Sequence, residues 1–339
     1  MTTPKCIGRR CARSRHISSQ CDACIKACPM GALQVESGRL SLIEPACTAC
    51  GACVSVCPMD ALELDGVPER LNVMPDGSCQ LRCSRAMSGD GQAIGCQHAL
   101  SEEMLLDALA QGVKHITLVT AGCEGCPNQP SKIPTDALEQ RFKAWQEILG
   151  KGVTIARRTE VPKDVDGGRR HLLGMVARKA TAPKPLETVE DTAPMNPKAP
   201  FHLTKRRRQL ITLLRGLLPQ APNQETATKD ALSHVVVPRF DEESCTACGL
   251  CAAMCPNKAL SAKTEGDVFT IAAIEACCTG CGLCADICTA NAVTFDEPQG
   301  TQAFLMGRPI VKMTARNKRR RSAWDGITQK DFSQAFFNR

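Results

Sequence analysis

The sequence predicts an α+β chain in which two small cysteine-bound modules flank a small α/β domain of parallel βαβ type. Three observations carry that expectation. Cysteine supplies 23 of the 339 residues, and most of it falls into four runs, Cys21-Cys24-Cys28, Cys47-Cys50-Cys53-Cys57, Cys245-Cys248-Cys251-Cys255 and Cys278-Cys281-Cys284-Cys288. The runs form two pairs, one towards each end of the chain. Between them, residues 91–160 alternate strand-like and helix-like stretches, the pattern of parallel strands joined by crossover helices. These features divide the chain into modules at 1–70 and 236–300, an α/β block at 71–160, a connector at 161–235 and a tail at 301–339.

A C-x2-C-x2-C-x3-C spacing wraps a loop around an iron–sulfur cubane, with three thiolates on one cluster and the fourth reaching the neighbouring one. Nine Phe, two Trp and no Tyr leave little material for large cores. Metal binding then contributes much of the folding free energy, because the sites do not exist in the unfolded chain. The start, MTTPKCIGRRCARSRH, has basic residues but no apolar segment behind them, so it does not read as a secretory signal. With cysteines at cluster spacing in a long chain, a disulfide scaffold is disfavoured. No apolar stretch approaches the roughly 20 residues that span a bilayer, and a cytoplasmic location is the expectation. The formal charge is +7. Each oxidised cubane with four thiolates adds about −2, so five clusters bring the balance to about −3, and the basic composition is no argument for nucleic acid.

In the amino-terminal pair, Cys28-Pro29 is followed by ALQVESGRLSLI, two alternating runs about Ser37-Gly38 that predict a hairpin. The second motif repeats the plan with Cys57-Pro58 and a strand at 61–64. This segment resembles the bacterial two-cluster ferredoxins, whose fold is two such halves related by pseudo-twofold symmetry. The carboxy-terminal pair resembles them too, with a turn near Gly266-Asp267, a closing strand at 292–295 and Thr289 in place of the proline. The resemblance implies about four [4Fe-4S] clusters and a crossed ligand set. Cys245, Cys248, Cys251 and Cys288 would hold one cluster, and Cys278, Cys281, Cys284 and Cys255 the other. Cys277 is left over as a buried neighbour. At the amino end, Cys47, Cys50, Cys53 and Cys28 complete one cluster. The other has Cys21, Cys24 and Cys57, and the position expected for its first ligand is Ser18. Cys6 and Cys11 lie just upstream, Cys11 being the closer and preferred. Serine ligation and a three-iron cluster stay open.

The central block runs QAIGC, then a helical SEEMLLDALAQGV, a β-rich HITLVTAGC, a helix through TDALEQRFKAWQEILG, and GVTIARRT. Cys96 and Cys123 fall at the carboxyl ends of the first two expected strands, where open α/β sheets place their ligand sites. Cys79, Cys83 and Cys126 bring the local total to five. From Cys79 to Thr159 the block resembles the delta subunit of methyl-viologen-reducing hydrogenase, an electron-transfer module that also serves heterodisulfide reductase and formate dehydrogenase assemblies. That family has four residues between its last two cysteines where this chain has only Glu124-Gly125. The resemblance implies one further cluster, [2Fe-2S], on four of Cys79, Cys83, Cys96, Cys123 and Cys126. Two competing readings are a thioredoxin-type dithiol at Cys123-x2-Cys126-Pro127, acidified by a helix N-terminus, and a structural zinc.

The connector contains KATAPKPLETVEDTAPMNPKAP, a composition that predicts an extended tether. In TKRRRQLITLLRGLLPQ, Leu210, Leu213, Leu214, Leu217 and Leu218 form one stripe of a basic amphipathic helix ended by Pro219. Docking on the protein's own ferredoxin unit is favoured over peripheral membrane contact or a partner. Arg-Arg-x-x-Leu ahead of a cluster domain also resembles the cytoplasmic ferredoxin that accompanies periplasmic nitrate reductase. The tail carries RNKRRR at 316–321, then Trp324, Phe332, Phe336 and Phe337, read as a solvated charge run and a short docking helix.

No dinucleotide fingerprint, P-loop, paired carboxylates or Ser/His constellation can be placed in one site, so no catalytic site of its own is expected. The resemblances imply an iron–sulfur electron-transfer component of an oxidoreductase, its partner a redox subunit of formate dehydrogenase, hydrogenase or nitrate-reductase type, with no nucleic acid. The alternative is a maturation or cluster-delivery factor for a molybdenum or tungsten enzyme, motivated by the incomplete first cluster.

Overall fold

The computed structural model describes residues 3–86, 89–123, 126, 128, 135–160, 181–190, 202–220, 232, 235–298, 304–305 and 310–316. The chain forms two compact units, Met1–Pro194 with Thr204–His234, and Met195–Leu203 with Val235–Arg339.

In the first unit the amino-terminal repeat runs β1 (Lys5–Cys6), α1 (Ala12–Arg15), α2 (Ala23–Lys26), β2 (Leu33–Glu36), β3 (Arg39–Leu42), α3 (Ala52–Ser55) and β4 (Leu62–Glu63). The expected hairpin is β2–β3, with Leu33 opposite Leu42 and Val35 opposite Leu40. Ser37 (φ 50°) and Gly38 (φ 77°) both stand in the left-handed region, as the two central residues of a type I′ turn must. Strands β1 and β4 pair antiparallel and close the repeat. The core is thin: Leu33, Leu40, Leu42, Ile43 and Leu62 are buried with Cys6 and Cys53, and Cys11, Cys24, Cys28 and Cys47 pack against them. Sulfur stands where a larger domain would place aromatic rings.

The α/β block follows as β5 (Ser78–Arg82), β6 (Gln92–Ala93), α4 (Glu102–Ala110), β7 (His115–Thr120), α5 (Thr135–Leu149) and β8 (Thr154–Thr159). Its sheet has the order β6–β5–β7–β8 with every pair parallel, as the alternation of elements predicts. One detail differs. The strand expected at 92–96 shrinks to an edge pair of residues, and β5, which the patterning did not single out, takes the inner place. Cys79 and Leu81 are buried while Ser78, Gln80 and Arg82 are half-buried, so the period of two is present, but over only five residues. On the sheet's helical cover, Phe142, Trp145 and Ile148 of α5 are fully buried. Trp145 Nε1 donates to the buried Glu102 of α4 at 2.6 Å, which gives that carboxylate the partner that burial demands.

The connector returns to this unit. Its strand β9 (Lys184–Pro185) pairs antiparallel with β3, and Leu186 is buried in the core of the first repeat. Leu186 N–H donates to Leu40 O at 3.0 Å, and Cys6 N–H to Glu187 O at 2.8 Å. The stretch is extended, as its composition predicts, but it is held along the open edge of β3 rather than left free; residues 191–200 of the tether lie outside the described residues. Helix α6 (Lys205–Leu217) follows, capped by Thr204, whose Oγ accepts from Arg207 N–H at 3.3 Å. Leu210, Ile211 and Leu214 are buried, Leu218 nearly so, and Leu213 and Leu217 half-buried. The helix docks inside the protein, as favoured, although its apolar face meets α4 of the α/β block. Arg206 makes the contact to the ferredoxin-like repeat.

The second unit repeats the plan of the first module with β10 (Val237–Phe240), α7 (Leu250–Ala253), β11 (Leu260–Glu265), β12 (Val268–Ala273), α8 (Leu283–Asp286) and β13 (Val293–Asp296). Strands β10 and β13 pair antiparallel, and β11–β12 is the hairpin expected at Gly266-Asp267. A further strand, β14 (Ile310–Arg316), lies antiparallel on β12 and buries Met313 beside Phe269 and Ile271. The tail reading did not anticipate it. Residues 317–321 of the basic run, Trp324, Phe332, Phe336 and Phe337 lie outside the described residues. Among those described, no helix is long and apolar enough to cross a membrane.

Candidate metal centres

One local geometry is built four times. Three residues after Cys28, Cys57, Cys255 and Cys288 stand Gly31 (φ 57°), Asp60 (φ 48°), Lys258 (φ 50°) and Asn291 (φ 51°). That left-handed residue swings the next amide back onto the cysteine. Ala32, Ala61, Ala259 and Ala292 N–H donate to the four sulfurs at 3.2, 3.3, 3.3 and 3.4 Å. Thr289 in place of proline leaves the turn intact, because the φ of Asn291 and the amide donor set its shape.

These turns stand beside groups of neighbouring thiols. Cys28, Cys47, Cys50 and Cys53 line one small cavity. Cys251 feels the charges of Cys248, Cys245 and Cys288, and Cys284 those of Cys278, Cys281 and Cys255. Cys24 lies within electrostatic reach of Cys57, Cys21 and Cys11. Cys11 therefore stands where a fourth thiol of the first site is needed. Cys6, buried in β1, donates a hydrogen bond to Cys11, which pushes the Cys6 thiol up and holds the Cys11 thiol below its ordinary range. Ser18 N–H donates to His16 Nδ1 at 3.1 Å. Cys277 is buried, and its carbonyl accepts from Asn257 Nδ2 at 3.1 Å.

Burial pushes the gathered thiols up, Cys24 and Cys251 to about 12 and Cys50 to about 11. Without a compensating cation these groups stay protonated, so the pockets suit an iron–sulfide core whose positive charge would hold the thiolates. Among the described residues no three of Cys, His, Asp and Glu meet closely enough to hold a single metal ion; the thiols frame cavities instead.

A larger cavity, of about 910 Å³, lies between the central block and the ferredoxin-like repeat, lined by Cys83, Cys96, Cys123 and Cys126 from the block and by Cys47, Thr48 and Ala49 from the repeat. Cys83 follows the carboxyl end of β5 and Cys123 that of β7. Cys79 is the thiol left out. It sits in β5, buried, four residues before Cys83, about 13 Å away at about 3.3 Å per strand residue. Its thiol is raised by burial alone, to about 11. Of the five cysteines from which four ligands were expected, Cys79 is the one that does not line the cavity, and it is a buried residue of β5. Against the acidified-dithiol reading, burial raises the Cys123 thiol; among the described residues the next helix is α5, from Thr135.

Sequence reasoning passed over the groups that surround these thiols. Arg85 Nη1 donates to Cys126 Sγ at 2.8 Å, Arg85 N–H to Cys83 Sγ at 3.4 Å and Gln97 Nε2 to Cys123 Sγ at 3.6 Å. The turn at 96–99 also carries the junction with the ferredoxin repeat. Ser55 Oγ donates to His98 O at 2.7 Å, His98 Nε2 meets Asn128 O at 2.8 Å, and Thr48 Oγ1 donates to Asn128 Oδ1 at 2.6 Å. Cys50 is among the charges that Cys96 feels. On the far side of the repeat, Arg206 is pinned by Asp60 and donates to the carbonyls of Ser55 and Cys57. A run of three arginines gives no signal of which one turns inward.

Residues 19–62 match the family described as a 4Fe-4S dicluster domain, and residues 238–261 that of a 4Fe-4S binding domain. No curated protein matches the chain. The protein thus carries two 4Fe-4S ferredoxin-type domains, one near each end.

Proposed function

We propose that this chain is an electron-transfer subunit, passing single electrons between a catalytic redox subunit and a carrier or second enzyme in the cytoplasm. Bound iron–sulfur cores would supply one-electron storage. Cys11, Cys21, Cys24 and Cys57 would hold the first, Cys28, Cys47, Cys50 and Cys53 the second, and Cys83, Cys96, Cys123 and Cys126 a central one of [2Fe-2S] type. The carboxy-terminal domain would hold two more, on Cys245, Cys248, Cys251 and Cys288 and on Cys255, Cys278, Cys281 and Cys284. The partner would be of the formate dehydrogenase, hydrogenase or nitrate-reductase kind. One observation carries this reading: Cys47, Thr48 and Ala49 line both the small cavity of the second set and the larger cavity with Cys96, so two thiol-lined sites share a wall. The open iron corner that motivates cluster delivery has a thiol, Cys11, beside it, and we take electron transfer over delivery. Stoichiometric oxidation of the reduced protein by a one-electron acceptor tests it. Rapid reoxidation of every centre with iron retained is expected; loss of iron to an apo-enzyme on the same timescale would favour delivery.

A further inference from the structure

The donors on sulfur differ in kind between adjoining sites. At the second site Ala32 N–H donates to Cys28, and backbone amides at Ala49 and Ala52 serve Cys47 and Cys50. Those donors are neutral. At the central site the 2.8 Å donor on Cys126 is the Arg85 guanidinium and the buried Gln97 carboxamide reaches Cys123, while Arg157, near Cys123, is ion-paired with Glu139. Asp65 also lines this cavity but is exposed, where water screens it. A guanidinium cannot be deprotonated in a protein, so its charge is permanent.

From this contrast we propose that Arg85, with Gln97, sets the central centre at a higher reduction potential than its neighbour on Cys28, Cys47, Cys50 and Cys53, so that electrons run from the ferredoxin domain into the α/β block. The inference rests on the proposed function, because it requires a redox centre on Cys83, Cys96, Cys123 and Cys126. Reduction adds one negative charge to a centre already surrounded by thiolates. A fixed cation bonded to one of those sulfurs stabilises the reduced form more than the oxidised form, and neutral amides do so less. Arg85 is thus a positioning and tuning residue. Its second bond, from its own N–H to Cys83, ties the cation to the loop that carries the ligand.

Potentiometric titration of the full-length protein, followed by electron paramagnetic resonance with iron counted on each sample, tests this. The wild type should show the central signal appearing before that of the neighbouring cubane. Arg85→Met should keep its iron and change the oxidised-to-reduced ratio of the central centre at fixed potential at least tenfold, a downward shift of about 59 mV for one electron. Arg85→Lys, which keeps the charge, should recover most of it. If Arg85→Met loses the central iron, Gln97→Leu carries the test and should lower the potential in the same sense. An unchanged central potential in an iron-replete Arg85→Met or Gln97→Leu protein, or reduction of the wild-type central centre after its neighbour, overturns the inference. A wild type with no iron beyond its cubanes would instead remove the reading on which it rests.

Discussion

Gly51 lies between the second and third cysteines of its run and also at the junction with the α/β block. A Cβ added there would stand 2.6 Å from Ala99 Cβ and 3.2 Å from both Ala99 Cα and Val67 Cγ2, on a backbone with φ +81°. Neither Ala99 atom is the end of a flexible chain, so the turn at 96–99 must shift. A left-handed backbone costs an alanine about 1–2 kcal/mol and overpacking about 1–3 kcal/mol, so Gly51→Ala should destabilise the junction by about 2–5 kcal/mol. At about 1.4 kcal/mol per decade, the lower bound corresponds to roughly a 30-fold rise in local opening. The assay is the rate at which visible absorbance bleaches under an iron chelator in anaerobic buffer. Gly51→Ala should bleach at least about tenfold faster than wild type. Adding Ala99→Gly removes the 2.6 Å contact and should restore part of the loss, because residues in contact are not additive. Equal bleaching rates for wild type and Gly51→Ala, or no rescue by Ala99→Gly, would refute the packing of these two elements.

Three further outcomes are expected. Cys11→Ala should turn the first amino-terminal centre into a three-iron species with its own resonance signal, whereas Cys6→Ala should leave four irons there; the reverse result would exchange their roles. Cys79→Ala should cost about 1–2 kcal/mol of stability as a small core truncation yet keep the central iron, while Cys96→Ser should lose it, both read by metal analysis. Arg206→Ala leaves Asp60 without its partner and should lower stability by about 3 kcal/mol, seen as a fall in the midpoint of thermal bleaching; Arg206→Lys should recover only part, because one ammonium cannot reproduce a fork that serves a carboxylate and two carbonyls.

Both ferredoxin-type modules were legible because their chemistry is written at fixed spacing. The Cys-Pro-x-x-Ala segments became turns with an amide on sulfur, and Ser37-Gly38 turned the hairpin. In the α/β block the parallel topology was readable, but β5 was not, since its five residues carry only two buried side chains and one of them is a cysteine, a residue type that attracts a ligand assignment. Strand β14 and the docked segment 184–189 were missed for a different reason: each is held by main-chain bonds along another strand's edge, which depends on what that edge leaves open rather than on its own pattern. Arg85, Gln97 and Arg206 act through contacts with residues distant in the sequence. Local sequence carries no record of those.

The central claim, that these thiols hold sulfide-bridged iron in five sets, is tested most directly by counting iron and acid-labile sulfide in the full-length protein purified without oxygen, with electron paramagnetic resonance of the reduced sample. Four cubanes and one two-iron centre predict about 18 irons and as many sulfides per chain, with resonances of both cluster types. Colourless protein containing zinc, or cysteines recovered as disulfides with no labile sulfide, would contradict it.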